Sequence, residues 1–258
     1  MHPFKMSILK SACARSVERA GARSALRLAA AVTASLAVAF GLVSCVNVAS
    51  YTQPSLVRVI DASYIAPAVN VTVGGVMLAS NIGEGSITSY GTVAANSASP
   101  IKVTEATGGS ALVTTTGTLL AGHHHTVFLT DNGAATKSYI VTILEDQHVA
   151  AASGHSAFRF LNQAPKIGAV DVYMIPSSST LANSTTLVSN LASGASTGYV
   201  SFTSQTVTMV IVPTGQTSPK YTSASLALTG GEVRTVLIVD TQLTTNPPVD
   251  VYVADDVN

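Results

Sequence analysis

An all-β chain is the fold class this sequence predicts: two tandem antiparallel β-sandwich domains, of the immunoglobulin or transthyretin kind, behind an N-terminal signal peptide. Three observations predict it. A basic, then apolar leader ends at a cysteine; a block of about 100 residues occurs twice; and within each block apolar side chains recur at every second position. Alternation with a period of two is the signature of a strand with one buried face. No segment after residue 50 shows the 3.6-residue period of an amphipathic helix.

The leader opens the chain. Residues 1–44 carry Lys5, Lys10, Arg15, Arg19, Arg23 and Arg27 against Glu18, and Leu28–Ser44 is a run of seventeen residues without a charge. A basic segment followed by an apolar core and small residues is the pattern of an export signal. At its end, Leu42-Val43-Ser44-Cys45 resembles the lipobox of bacterial lipoproteins. In that chemistry the Cys45 thiol takes a diacylglyceryl thioether and becomes the mature N-terminus. An uncleaved membrane anchor and ordinary secretion are the alternative fates. The resemblance implies attachment to a membrane by three acyl chains, more than the two signals that stable anchoring needs. Val46 stands where an inner-membrane retention signal would place Asp, which implies the outer membrane in a host that has one. Residues 45–55 then read as a tether.

Charge and cysteine content narrow the body of the protein. The whole chain has 13 basic and 13 acidic residues, but six of the basic ones lie in the leader, leaving seven against twelve. A mildly acidic body without clustered Lys or Arg is a poor match to nucleic acid, whose binding rests on phosphate neutralisation. The two cysteines are Cys13 and Cys45. The body therefore has no thiol for a disulfide, a zinc cluster or a nucleophile.

The duplication sets the domain plan. Val57-Arg58-Val59-Ile60-Asp61 aligns with Phe158-Arg159-Phe160-Leu161-Asn162 at a shift of 101, as does Ala68–Val73 with Ala169–Met174. Leu78–Ile82 falls on Leu187–Leu191 and Tyr90 on Tyr199 at a shift of 109, so the second copy is longer by eight residues, assigned to the Ser/Thr-rich stretch Pro176–Thr186. The same shift places Thr126–Leu129 on Thr235–Ile238, Asp131 on Asp240 and Asp146 on Asp255. The plan is a signal peptide at 1–44, a tether at 45–55, one sandwich at 56–146, a linker at 147–155 and a second sandwich at 156–256. Each copy is expected to hold about seven strands and its own core.

Val69, Val71 and Val73 alternate with Asn70 and Thr72, and Val170, Val172 and Met174 alternate with Asp171 and Tyr173. Further strands are expected at Ile101–Glu105, Ala111–Thr116, His125–Thr130 and Tyr139–Leu144, with counterparts in the second copy. Gly74-Gly75, Gly108-Gly109, Asp131-Asn132-Gly133 and Gly230-Gly231 separate them as turns.

These blocks carry a family resemblance. Val57–Ser63 followed by Ala66-Pro67-Ala68-Val69-Asn70-Val71-Thr72-Val73-Gly74 is similar to the opening of the bacterial domain of unknown function 4397, and Ala169-Val170-Asp171-Val172-Tyr173 keeps its pattern more closely. The resemblance implies an exported, tandem, β-rich surface protein and brings no established activity.

Candidate chemistry is sparse. His123-His124-His125 is the most conspicuous cluster; in a strand His123 and His125 share a face, and two imidazoles at that spacing can hold a metal. No acid completes the set, and the second copy has Glu232-Val233-Arg234 there, so a solvated strand start is the expected reading and no metal is assigned. Arg58 and Arg159 recur between apolar residues, and a buried guanidinium needs a carboxylate. Asn70/Asp171, Asp131/Asp240 and Asp146/Asp255 are its candidate partners, the last two acidic in both copies, in an ion pair within each domain. No Gly-x-Ser-x-Gly elbow, paired glutamates or phosphate loop is present, and no catalytic residue or cofactor is assigned. The expected function is that of a non-enzymatic envelope lipoprotein, a binding or structural module whose partner is the membrane and, in addition, a cell-wall polymer or envelope protein. A carbohydrate-binding protein using Tyr51, Tyr64, Tyr90, Tyr173 and Tyr199 is the alternative, and an envelope hydrolase with a site assembled only in three dimensions is another.

Overall fold

The computed structural model describes residues 52–133, 137–242 and 247–257. The expected signal peptide at 1–44, Cys45, Tyr51 and most of the expected tether lie outside the described residues.

The chain is all-β. The first copy contributes β1 (Ser55–Asp61), β2 (Val69–Val73), β3 (Val76–Ile82), β4 (Gly91–Val93), β5 (Asn96–Glu105), β6 (Ala111–Leu119), β7 (His124–Asp131) and β8 (Tyr139–Asp146). The second contributes β9 (His155–Gln163), β10 (Val170–Pro176), β11 (Val188–Leu191), β12 (Val200–Thr203), β13 (Thr206–Pro213), β14 (Tyr221–Ala227), β15 (Val233–Asp240) and β16 (Val249–Asp255). Four four-stranded sheets result, in the orders β4-β1-β7-β8 and β3-β2-β5-β6, then β12-β9-β15-β16 and β11-β10-β13-β14. Each pair of sheets encloses one core. Val57, Val59, Val71, Val103, Val127 and Leu129 are among the buried residues of the first, and Phe158, Phe160, Val172, Met209, Val236 and Ile238 of the second.

Two features depart from the sequence reading. Among the described residues each copy has eight strands, close to the expected number, but one pair in each is parallel rather than antiparallel, β1 with β7 and β9 with β15. Parallel neighbours need a long crossover, and here nearly the whole copy lies between the two strands. The second departure is a third apolar core between the copies. Ile60, Ala62, Phe128 and Leu144 from β1, β7, β8 and the turn after β1 meet Leu161, Leu237, Val239, Tyr252 and Ala254 from β9, β15 and β16. The two sheets that contain the parallel pairs therefore have both faces covered. Strand β7 is buried at seven of its eight positions, and β15 at seven of eight. Unbroken apolar runs such as Val127-Phe128-Leu129 are what a strand covered on both faces requires.

The repeat persists at the level of backbone conformation. Asn81 and Asn190 take φ of 52° and 51°, and each donates its amide to a side chain on the neighbouring strand, Asn70 Oδ1 at 2.8 Å and Asp171 Oδ1 at 2.7 Å. Asparagine tolerates this left-handed conformation better than most residues. The eight-residue excess of the second copy forms a short loop with a single 3₁₀ turn at Leu181–Asn183. Leu181 packs with Tyr173 onto Ile175, Val210 and Val212, on the face of that sheet turned away from the core. Tyr173 is thus partly covered rather than fully solvated.

Candidate functional site

Strand parity places a polar cluster at one end of the junction between copies. In β1, Arg58 shares the junction face with Ile60; in β7, Thr126 shares it with Phe128; in β8, Asp146 shares it with Leu144. Arg159, Thr235 and Asp256 repeat the arrangement, with Asp256 one residue beyond β16 and on the side of Ala254.

The ion pairs run across the junction, which corrects the expectation of one pair inside each copy. The Arg159 guanidinium donates from Nη2 to Asp146 Oδ1 at 2.5 Å and from Nη1 to the Glu145 carbonyl at 2.6 Å. Arg58 does the same in the other direction, to Asp256 Oδ1 and to the Asp255 carbonyl. Each Nε stays within its own copy, Arg58 donating to Thr126 Oγ1 at 2.8 Å and Arg159 to Thr235 Oγ1 at 3.1 Å. The threonine hydroxyls pass the chain on, Thr126 to Asp146 Oδ2 at 2.6 Å and Thr235 to Asp256 Oδ2 at 2.7 Å. Tyr90 and Tyr199 complete it. Their hydroxyls donate to Asp146 Oδ2 at 3.0 Å and Asp256 Oδ2 at 2.7 Å, and their rings lie 4.8 and 4.9 Å from the guanidinium carbons of Arg58 and Arg159.

All four charged groups are buried, with side-chain exposure of 5% or less. Charges taken out of water are tolerated only with pairing and full hydrogen bonding, and both pairs have it. Burial holds the Asp256 carboxyl above its ordinary pKa, and the Arg58 guanidinium offsets only part of that rise. Burial also raises the Tyr90 and Tyr199 hydroxyls far above the usual phenol range, so both remain protonated donors.

Asp256, not Asp255, is therefore the counterpart of Asp146. Asp131 pairs with Tyr139 across the first hairpin, whereas Asp240 pairs with Val249 across the second, so the second connection is one residue longer. The shift becomes 110 in the last strand. The doubled acids Glu145-Asp146 and Asp255-Asp256 are the sequence signal that carries this register. Asp131 and Asp240 have a separate task. Asp131 accepts from Ser63 Oγ at 2.5 Å and the Tyr64 amide at 2.9 Å, and Asp240 accepts from the Lys166 amide at 2.6 Å. They tie down the turn after the first strand of each copy.

The three histidines occupy three environments. His123 Nδ1 lies 2.5 Å from Glu145 Oε1 at the surface. His124, on the junction face, has its ring centroid 4.8 Å from those of Tyr90 and His148 and stacks on the latter. His125 is buried on the opposite face of β7; Leu120 N–H points at its Nε2 at 3.5 Å, and its Nδ1 lies 2.9 Å from Ser55 Oγ. Burial lowers the pKa of both His124 and His125. Among the described residues no group of three or more His, Cys, Asp or Glu side chains is placed to hold a metal ion.

Ser55 and His125 are a hydroxyl–imidazole pair, but Ser55 is completely buried and its hydroxyl donates to the His123 carbonyl at 3.2 Å. That arrangement fixes the start of β1 against β7 and offers no exposed nucleophile. An open groove of about 610 Å³ lies between the free edges of β6 and β8, lined by Thr115, Thr116, Gly117, Val141, Ile143 and Glu145 among others. The tyrosines do not gather on one surface: the Tyr90 and Tyr199 hydroxyls are spent in the junction, and Tyr173 packs on the outer sheet of the second sandwich.

Comparison with known families agrees with the sequence blocks. Residues 55–173 match the family described as Domain of unknown function (DUF4397). The match spans the first sandwich, the linker and the first strand of the second, running into β10. No curated protein matches the chain. The junction cluster lies largely within the DUF4397 match, which includes Arg58, Tyr90, Thr126, Asp146 and Arg159.

Proposed function

We propose that this chain is an exported, lipid-anchored envelope protein whose two sandwiches act as one rigid binding or structural module at a membrane surface. The observation that carries the reading is Cys45, placed at the end of a basic and apolar leader and ten residues before β1 begins. A thioether at that position would leave a short tether between lipid and fold. The body is consistent with that role: the cross-junction ion pairs and the third core make a single compact unit of Thr52–Asn258. Neither sandwich needs a disulfide, because each buries an apolar core. The buried polar cluster is structural in this reading, since its hydrogen-bonding groups are turned on one another.

Expression of the full chain in a bacterial host with a lipoprotein pathway tests the proposal. The wild type is expected in the membrane fraction with an acylated Cys45 by intact mass. Cys45→Ala is expected to leave a larger, unacylated precursor. An unmodified Cys45, or an N-terminus elsewhere, overturns the reading.

A further inference from the structure

Asp61 stands where the second copy has Asn162, and the two make different use of the same site. Asn162 is completely buried and its amide works in both directions: Nδ2 donates to the Gly168 and Leu191 carbonyls, each at 2.8 Å, and Oδ1 accepts from the Ala164 amide at 3.0 Å. It joins the turn after β9 to the end of β11. Asp61 is equally buried and keeps one half of this pattern, Oδ1 accepting from the Ser63 amide at 3.1 Å. Its Oδ2 is buried without a partner. By the repeat, the counterparts of the carbonyls that Asn162 reaches are those of Pro67 and Ile82. A carboxylate cannot donate to them; a carboxylic acid can.

The surroundings favour the acid form. The charged groups facing Asp61 are carboxylates, Asp131 at the end of β7 and Glu84 in the loop after β3, and Glu84 in turn accepts from Tyr252 on β16 at 3.0 Å. Among the described residues none of the four ion pairs includes Asp61.

We propose that Asp61 is a proton-operated latch: its protonated carboxyl closes the turn between β1 and β2 onto the end of β3, and ionisation opens it. Burial, reinforced by the neighbouring acids, pushes its pKa up to about 7 from 3.8. A group whose folded pKa lies above its unfolded value contributes stability that is complete below the unfolded value and is lost as pH rises through the folded one. The latch is therefore closed in acid and open in mildly alkaline solution.

The test compares thermal melts of wild type and Asp61→Asn from pH 5 to pH 8.5. The wild-type Tm is expected to fall from pH 5 to about pH 7 and to level off above it. The variant, with the amide that serves in the second copy, should lack that fall and melt roughly 5 °C higher at pH 8.5. Asn162→Asp should install the same alkaline loss in the second sandwich. Carboxyl ¹³C titration of the unaltered protein gives a direct reading, with a midpoint for Asp61 near 7. Parallel melting profiles, or an Asp61 midpoint near 4, overturn the proposal. So does a rise in wild-type Tm with added calcium at pH 8.5 that Asp61→Asn abolishes, since a bound cation would then satisfy the carboxylate.

Discussion

Removing the Asp256 carboxylate perturbs the junction where its design is most exposed to failure. Asp256→Ala strips Arg58 of its buried counter-ion and leaves the hydroxyls of Thr235 and Tyr199 without their acceptor. Breaking a buried ion pair from one side costs about 3–5 kcal/mol, and an orphaned buried hydrogen-bonding group about 1–3 kcal/mol. Arg58 keeps Thr126 and the Asp255 carbonyl, so the expected loss is about 4 kcal/mol rather than the full sum. That is a large share of a typical stability of about 5–15 kcal/mol. Asp255→Ala is the control, because Asp255 is exposed and its carboxylate accepts from the nearby Val257 amide. Its expected cost is below about 1 kcal/mol. Pairing Asp256→Leu with Arg58→Met should recover part of the loss, since apolar residues of similar volume remove the stranded charge. Urea unfolding of the four proteins measures this. Equal losses from Asp255→Ala and Asp256→Ala, or a loss below about 1 kcal/mol from the latter, would refute both the register and the energetic argument.

Three further outcomes are expected. Val172→Asp should destabilise by several kcal/mol, because Val172 is wholly buried in the second core, whereas Tyr173→Ala should cost about 1 kcal/mol through its contacts with the outer cluster; thermal melts rank the two. A fragment of residues 56–146 exposes Ile60 and Phe128 and leaves Arg58 without Asp256, yet it retains Asp146. It should self-associate through that face, or pair with a 156–256 fragment on mixing, and a stable monomer by light scattering would contradict this. On the acid side, His124 and His125 have folded pKa values below the ordinary 6.5, so the unfolded chain binds the extra protons. Their contribution should be lost as pH falls below about 6, and His125→Gln should reduce that acid loss in a stability–pH profile.

Much of the fold was legible residue by residue. The period of two at Val69–Val73 and Val170–Met174 names the inward face, and the structure buries those positions. Arg58 and Arg159, recurring between apolar neighbours, announced buried charges in need of carboxylates. Their partners were not legible, because the pairing depends on how two sheets meet rather than on any local spacing. The Asp255 reading failed for a similar reason. A constant shift was carried through a hairpin that is one residue longer, and a slip of one residue exchanges the faces of a strand.

The sequence by itself determined that the body is β-rich and duplicated, that it holds no thiol chemistry, and which side chains leave water. Those properties follow from composition and alternation, which act over a few neighbouring residues. The tertiary structure alone decided where the buried side chains go: the parallel pairing of β1 with β7, the third core, the exchange of Arg58 and Arg159 across the junction, and the partnerless oxygen of Asp61. Alternation reports that a face is covered but not by what, and a charge 198 residues from its partner is placed by packing that no local pattern encodes.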